Sequence, residues 1–260
     1  MTKLAANLTM LFTEVDFLDR FEAAAKAGFK AVEFLFPYDY PPAQIAEKLQ
    51  ANKLELVLHN LPAGNWAAGE RGIACHPDRV AEFKDGVGRA IEYASALKVK
   101  QVNCLAGIVP KGVSREEAHK TFVANLSYAA ERLQAAGIKL LIEPINTFDI
   151  PGFFLSGTQQ ALDIIAETGS VNVFVQYDIY HMQRMEGELA NTIKANLGRI
   201  AHLQLADNPG RFEPGTGEIN YGYLFRFLDE IGYQGWIGCE YKPKAGTVQG
   251  LGWRAAHGLQ

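Results

Sequence analysis

Four polar side chains stand at the C-terminal ends of four successive apolar runs. Lys139-Leu-Leu-Ile-Glu143 ends in a carboxylate and Val173-Phe-Val-Gln-Tyr-Asp178 in a second. Ile200-Ala-His-Leu-Gln204 ends in an amide and Trp236-Ile-Gly-Cys-Glu240 in a third carboxylate. The intervals are 35, 26 and 36 residues. Three carboxylates and an amide oxygen form a hard donor set that suits a divalent ion such as Mg²⁺ or Mn²⁺. Without a cation, carboxylates gathered this closely would raise one another's pKa values. A single carboxylate after a strand is more often a helix N-cap or a surface charge. Asp178 fits the cap role; Glu143 and Glu240 do not, because Glu is not a favoured N-cap residue. The recurrence in four consecutive units favours a site.

Other polar residues add to this set. His181 follows Asp178 by three residues, in what reads as a loop, and could donate to a substrate oxygen. His202 shares a strand face with Gln204. His59 closes an apolar run of its own and is a further candidate. The segment Leu61–Gly72 carries Trp66, Glu70 and Arg71 and reads equally as a binding loop or as a packed surface loop. If the substrate carries a carboxylate, Arg71, Arg211 and Lys242 are the candidates to hold it.

The elements that must position these groups follow from hydrophobic patterning. Eight strand-sized apolar runs occur: Leu4–Leu8, Ala31–Phe36, Leu54–His59, Gln101–Leu105, Lys139–Glu143, Val173–Asp178, Ile200–Leu205 and Trp236–Glu240. Several are nearly continuous in Val, Ile, Leu and Phe, as suits strands buried on both faces of a parallel sheet. Helical signals alternate with them, over Asp16–Ala27, Ala43–Ala51, Arg79–Leu97, a Ser114-Arg-Glu-Glu117 capping box with its helix running to Gly137, Thr158–Glu167, Glu188–Asn196 and Tyr223–Ile231. Strand–helix alternation without a long linker predicts one domain, residues 1–260, closed as an α/β (β/α)₈ TIM barrel. In such a barrel all strand C-termini meet at one mouth. A doubly wound sheet is the alternative, but the first run leads into Asn7-Leu-Thr-Met-Leu-Phe12, with neither a GxGxxG nor a P-loop pattern.

Composition narrows the function class. The chain has 260 residues, a formal net charge of −4 and no basic stripe, which argues against nucleic acid as a partner. No apolar run approaches the roughly 20 residues needed to span a membrane, and the N-terminus lacks a secretory pattern. The cysteines, Cys75, Cys104 and Cys239, form no CxxC pair. A reduced cytoplasmic protein acting on a small molecule is expected. Subunit number is not readable, and a homo-oligomer stays open.

Longer stretches around the strand-end residues carry a family resemblance. Glu143-Pro-Ile-Asn146, Asp178-Ile-Tyr-His181, His202-Leu-Gln-Leu-Ala-Asp207 and Cys239-Glu-Tyr-Lys-Pro243 resemble the xylose-isomerase-like barrels of sugar isomerases and epimerases. Within that superfamily the chain is most similar to the hydroxypyruvate isomerase family, through Phe34–Tyr40, His59–Gly64, Ala68–Cys75, Asp149–Gly152, Gln176–Gly187 and Glu213–Tyr221. The resemblance implies interconversion of hydroxypyruvate and 2-hydroxy-3-oxopropanoate, with Glu143 and Glu240 as the acid/base pair. It also implies a divalent cation on Glu143, Asp178, Gln204 and Glu240. Epimerases of the superfamily commonly have His at the place of Gln204 and an Arg soon after; Arg211 is the nearest match here. Rival readings are a 2-oxo-tetronate isomerase using the same residues, an endonuclease-like or metal-dependent hydrolase, and a non-catalytic sugar-binding barrel. Six histidines and a negative net charge disfavour the hydrolase. The cost of burying three unpaired carboxylates disfavours the binding protein.

Overall fold

In the computed structural model, which describes residues 2–259, eight strands close into a barrel in chain order. They are β1 (Lys3–Asn7), β2 (Ala31–Glu33), β3 (Glu55–Asn60), β4 (Gln101–Cys104), β5 (Lys139–Ile142), β6 (Val173–Asp178), β7 (Ile200–Leu205) and β8 (Trp236–Cys239). Each pairs with the next in parallel, and β8 returns to β1 through Lys3↔Trp236 to Ala6↔Cys239. The connecting helices are α1 (Arg20–Lys26), α2 (Pro42–Ala51), α3 (Val80–Ala96), α4 (Arg115–Ala135), α5 (Thr158–Thr168), α6 (Ile179–Met185), α7 (Leu189–Ala195) and α8 (Tyr221–Glu230). No described helix is long and apolar enough to cross a membrane.

Period-two alternation sorts each strand into two faces. On β7, Leu203 and Leu205 join the large core between strands and helices, whereas His202 and Gln204 lie on the inner face and are buried. The barrel interior is itself divided. Its lower part is apolar, built on Ala5, Ala31, Val57, Leu58 and Leu141. Its upper part is polar, with Asn7, Glu33, Asn103, Gln176, Asp178, His202 and Gln204 all buried. Stability therefore comes from the outer layer and the barrel floor, leaving the C-terminal mouth for polar groups.

The observed elements differ from the sequence reading in informative places. The run Ala31–Phe36 is not one strand: the β2–β3 register shifts between Val32 and Glu33, and the strand ends at Glu33. Residues 179–185 form the short helix α6, not the loop expected around His181. Asp178 caps it, accepting from the Tyr180 amide at 2.8 Å. The Ser114 cap is present, with its hydroxyl accepting from the Glu117 amide at 3.1 Å.

Candidate active site

The strand-end residues meet at the mouth. Asp178 is the last residue of β6, while Glu143 and Glu240 follow β5 and β8 by one residue. All three are buried. Side chains of Glu143, His181, Gln204, Arg211, Glu240 and Lys242 line a cavity of about 590 Å³. Arg211 lies between two of the carboxylates, with Nη2 3.7 Å from Asp178 Oδ2 and 3.5 Å from Glu240 Oε1. His181 Nε2 is 3.6 Å from Asp178 Oδ2 and 3.9 Å from Glu143 Oε1. Asn103 donates to Glu143 Oε2 at 2.9 Å.

Crowded burial dominates the electrostatics. Burial, then the charges of Glu240 and Asp178, hold the Glu143 carboxyl well above its ordinary range against the pull of Arg211. Burial pushes Glu240 up to about 8, again opposed by Arg211. Asp178 is raised to about 6 by burial, with Arg211 and the amides of Tyr180 and His181 opposing. Two facing carboxyls whose hold on a proton is raised by burial are equipped for proton exchange with a substrate.

Just below lies a second polar layer that sequence reasoning missed. Glu33 is fully buried. Its Oε1 accepts from Asn7 at 2.9 Å and from Gln204 Nε2 at 2.7 Å, and its Oε2 lies 2.6 Å from His202 Nε2. A Cβ at Gly238 would collide with the Glu33 carboxylate, so the glycine of Trp236-Ile-Gly-Cys239 makes room for it. Gln204 also accepts from Gln176 at 2.7 Å. A carboxylate can only accept, so the Gln204 amide nitrogen must face Glu33 and its oxygen the other way. The signal for Glu33 was a carboxylate within Ala31–Phe36, hidden by reading that run as continuous strand.

The other candidates divide. His181 and Arg211 reach the carboxylates, and Arg71 and Lys242 line the cavity. His59 does not: its neighbours Leu58 and Asn60 line the cavity, so alternation turns its ring outward, edge-on to Tyr38 at 6.1 Å. Glu70 is also outside the site. Its carboxylate accepts from the Asn65 amide and pairs with Arg79 at 2.5 Å, closing the loop on itself. That loop presents Arg71 against Trp66, guanidinium over indole at 4.2 Å.

The donor chemistry fits a divalent cation. Asp178 Oδ2 is buried without a hydrogen-bond partner, and a carboxylate oxygen of Glu143 lies within 4.8 Å of one of Asp178.

A parallel barrel with an acid-rich C-terminal mouth defines a class of enzyme scaffold. Residues 21–257 match the family described as the xylose isomerase-like TIM barrel, and the chain belongs to it. It is 60% identical to hydroxypyruvate isomerase of Escherichia coli (strain K12), over 97% of this chain and 98% of that one. It is 48% identical to 2-oxo-tetronate isomerase of Cupriavidus necator, over 97% of each. Among solved structures, a Brucella melitensis protein described as an AP endonuclease, family 2, superposes with a TM-score of 0.96 at 45% identity, covering 99% of both chains.

Proposed function

We propose that this protein is an isomerase that interconverts hydroxypyruvate and 2-hydroxy-3-oxopropanoate. The observation that carries the reading is the pair Glu143 and Glu240. Both are buried at one cavity, both have raised pKa values, and Arg211 and His181 stand beside them. The 60% identity to the Escherichia coli enzyme over nearly the whole chain supports the substrate.

One glutamate, ionised, takes a proton from the hydroxymethyl carbon beside the ketone. Negative charge moves onto the ketone oxygen, giving an enediolate. The other glutamate, protonated, returns a proton to the former ketone carbon. The hydroxyl proton passes to the former ketone oxygen, which becomes the new hydroxyl as the aldehyde forms, and the two glutamates have exchanged protonation states. Hydrogen-bond donors fixed at the developing oxyanion stabilise it without reorganisation; Arg211 and His181 fill that role. A divalent cation held by Glu143, Asp178, Gln204 and Glu240 would add Lewis-acid stabilisation at the substrate oxygens. Among the described residues Arg71 and Lys242 are cavity-lining cations without a carboxylate partner, and they bind the substrate carboxylate.

A cavity of about 590 Å³ exceeds what a three-carbon acid fills, which favours 2-oxo-tetronate as a second substrate. The reading also places the protein in a reduced, cytoplasmic setting, in keeping with three buried free cysteines. The test is turnover of hydroxypyruvate and of 2-oxo-tetronate by purified protein, followed by ¹H NMR with and without Mg²⁺ or Mn²⁺. Aldehyde formation from hydroxypyruvate is expected. Inertness of both acids under all conditions would overturn the reading.

A further inference from the structure

Three residues beyond Glu143, Asn146 is fully buried and makes four hydrogen bonds through its carboxamide. The oxygen accepts from the backbone amides of Phe148 at 3.1 Å and Asp149 at 2.8 Å, groups that can only donate. The nitrogen must therefore face the opposite way. There it donates to Asp149 Oδ2 at 3.1 Å and lies 2.7 Å from His181 Nδ1. Asp149 is itself fixed, by the Tyr180 hydroxyl at 2.8 Å and Arg184 Nη1 at 2.7 Å.

The partners of Asn146 leave His181 one arrangement. A proton on Nδ1 would set two donors head to head at 2.7 Å. That excludes the Nδ1–H tautomer and the imidazolium alike. Nδ1 presents its lone pair, and the single imidazole proton lies on Nε2. We infer that Asn146 is a positioning residue that fixes His181 as the neutral Nε2–H tautomer, making His181 a hydrogen-bond donor to the substrate oxygen and not a metal ligand. Nε2 stands 3.6 and 3.9 Å from the nearest carboxylate oxygens, beyond hydrogen-bond distance, so its proton is uncommitted in the free protein.

The catalytic consequence rests on the isomerase reading; the tautomer does not. In the enediolate step a neutral N–H can strengthen its bond to the oxygen as charge develops, without neutralising the adjacent glutamates. A protonated Nε2 has no lone pair for a metal, so any cation falls to the carboxylates and Gln204.

The test is long-range ¹H–¹⁵N correlation NMR of ¹⁵N-histidine-labelled protein, with His181 assigned by its loss in His181→Gln. The wild-type ring is expected to show a protonated Nε2 and an unprotonated Nδ1. In Asn146→Asp, whose second oxygen can accept from Nδ1, a proton is expected on Nδ1, and kcat for hydroxypyruvate is expected to fall about 100-fold, the order lost with one oxyanion donor. Mn²⁺ affinity, measured by EPR, is expected to stay within about twofold in His181→Gln, against the 10- to 100-fold scale seen even for lost outer-shell partners. An unprotonated Nε2 in the wild type overturns the inference, and so does full kcat in Asn146→Asp with its proton moved to Nδ1. Should Asn146→Asp fail to fold, the wild-type spectrum alone decides. A wild-type Nε2–H signal in a protein inert toward hydroxypyruvate would refute the substrate and leave the tautomer assignment standing.

Discussion

Two layers of buried acid lie one above the other inside this barrel, and they are treated differently. In the lower layer Glu33 has a partner for each oxygen: Asn7 and Gln204 on one, His202 on the other. In the upper layer Glu143, Asp178 and Glu240 repel one another, share Arg211, and leave Asp178 Oδ2 without a hydrogen bond. Burial alone is thus no mark of function. A saturated carboxylate is a structural group whose removal strands its partners. An under-partnered cluster stores unfavourable electrostatics that a substrate or cation can relieve. Gln204 joins the two layers, because its amide bonds downward to Glu33, which with Asn7 and Gln176 lines the same cavity.

Neutralising one member of each layer separates the two most strongly. Glu143→Gln and Glu240→Gln are each expected to lower kcat by at least about 10²- to 10⁴-fold, the usual scale of acid/base catalysis, with Tm unchanged or higher because a crowded buried charge is gone. Glu33→Gln is expected to do the reverse in kind. It replaces one accepting oxygen by an amide donor, which disrupts either the bonds from Asn7 and Gln204 or the contact with His202, and should cost about 1–3 kcal/mol of stability. Urea unfolding and steady-state rates on all three variants check both halves. A rate loss without destabilisation in Glu33→Gln would erase the distinction.

A pH experiment sharpens the contrast on the outer face of the barrel. Burial lowers His59 from 6.5 to about 4, so the folded state resists its protonation. Its contribution to stability is complete above pH 6.5 and is lost as pH falls through about 4, amounting to about 3 kcal/mol at 1.36 kcal/mol per unit. His59→Phe is expected to lose less stability than the wild type between pH 7 and pH 4, as read from urea midpoints. The smallest effect is expected at Glu70. Its pair with Arg79 is partly exposed, and Glu70→Gln should change stability by no more than about 1 kcal/mol. Turnover should be nearly unaltered, since Glu70 supports the loop from outside the cavity.

Much of the barrel is legible in sequence, because strands buried on both faces write continuous apolar runs and their intervals repeat. The four strand-end residues were legible for the same reason: each terminates a run and breaks its hydrophobicity. Glu33 also sits where a run changes character, but Phe34, Leu35 and Phe36 continue the apolar pattern beyond it, so nothing marked the β2–β3 register shift. His59 misled because a polar residue at a strand end can face either way, and only the register decides. Glu70 shared a loop with Arg71, but the fold of that loop turns one toward Arg79 and the other toward the cavity. Asn146 carried no signal, since its role lies in which atoms surround its amide and not in its residue type.

The central claim is that Glu143 and Glu240 move a substrate proton between adjacent carbons. The most direct measurement is ¹H and ²H NMR of hydroxypyruvate incubated with protein in D₂O. The wild type is expected to form the aldehyde and to introduce deuterium at the carbon that receives the proton. Glu143→Gln and Glu240→Gln are expected to lose both exchange and product. Isomerisation at a wild-type rate by either variant would contradict the account.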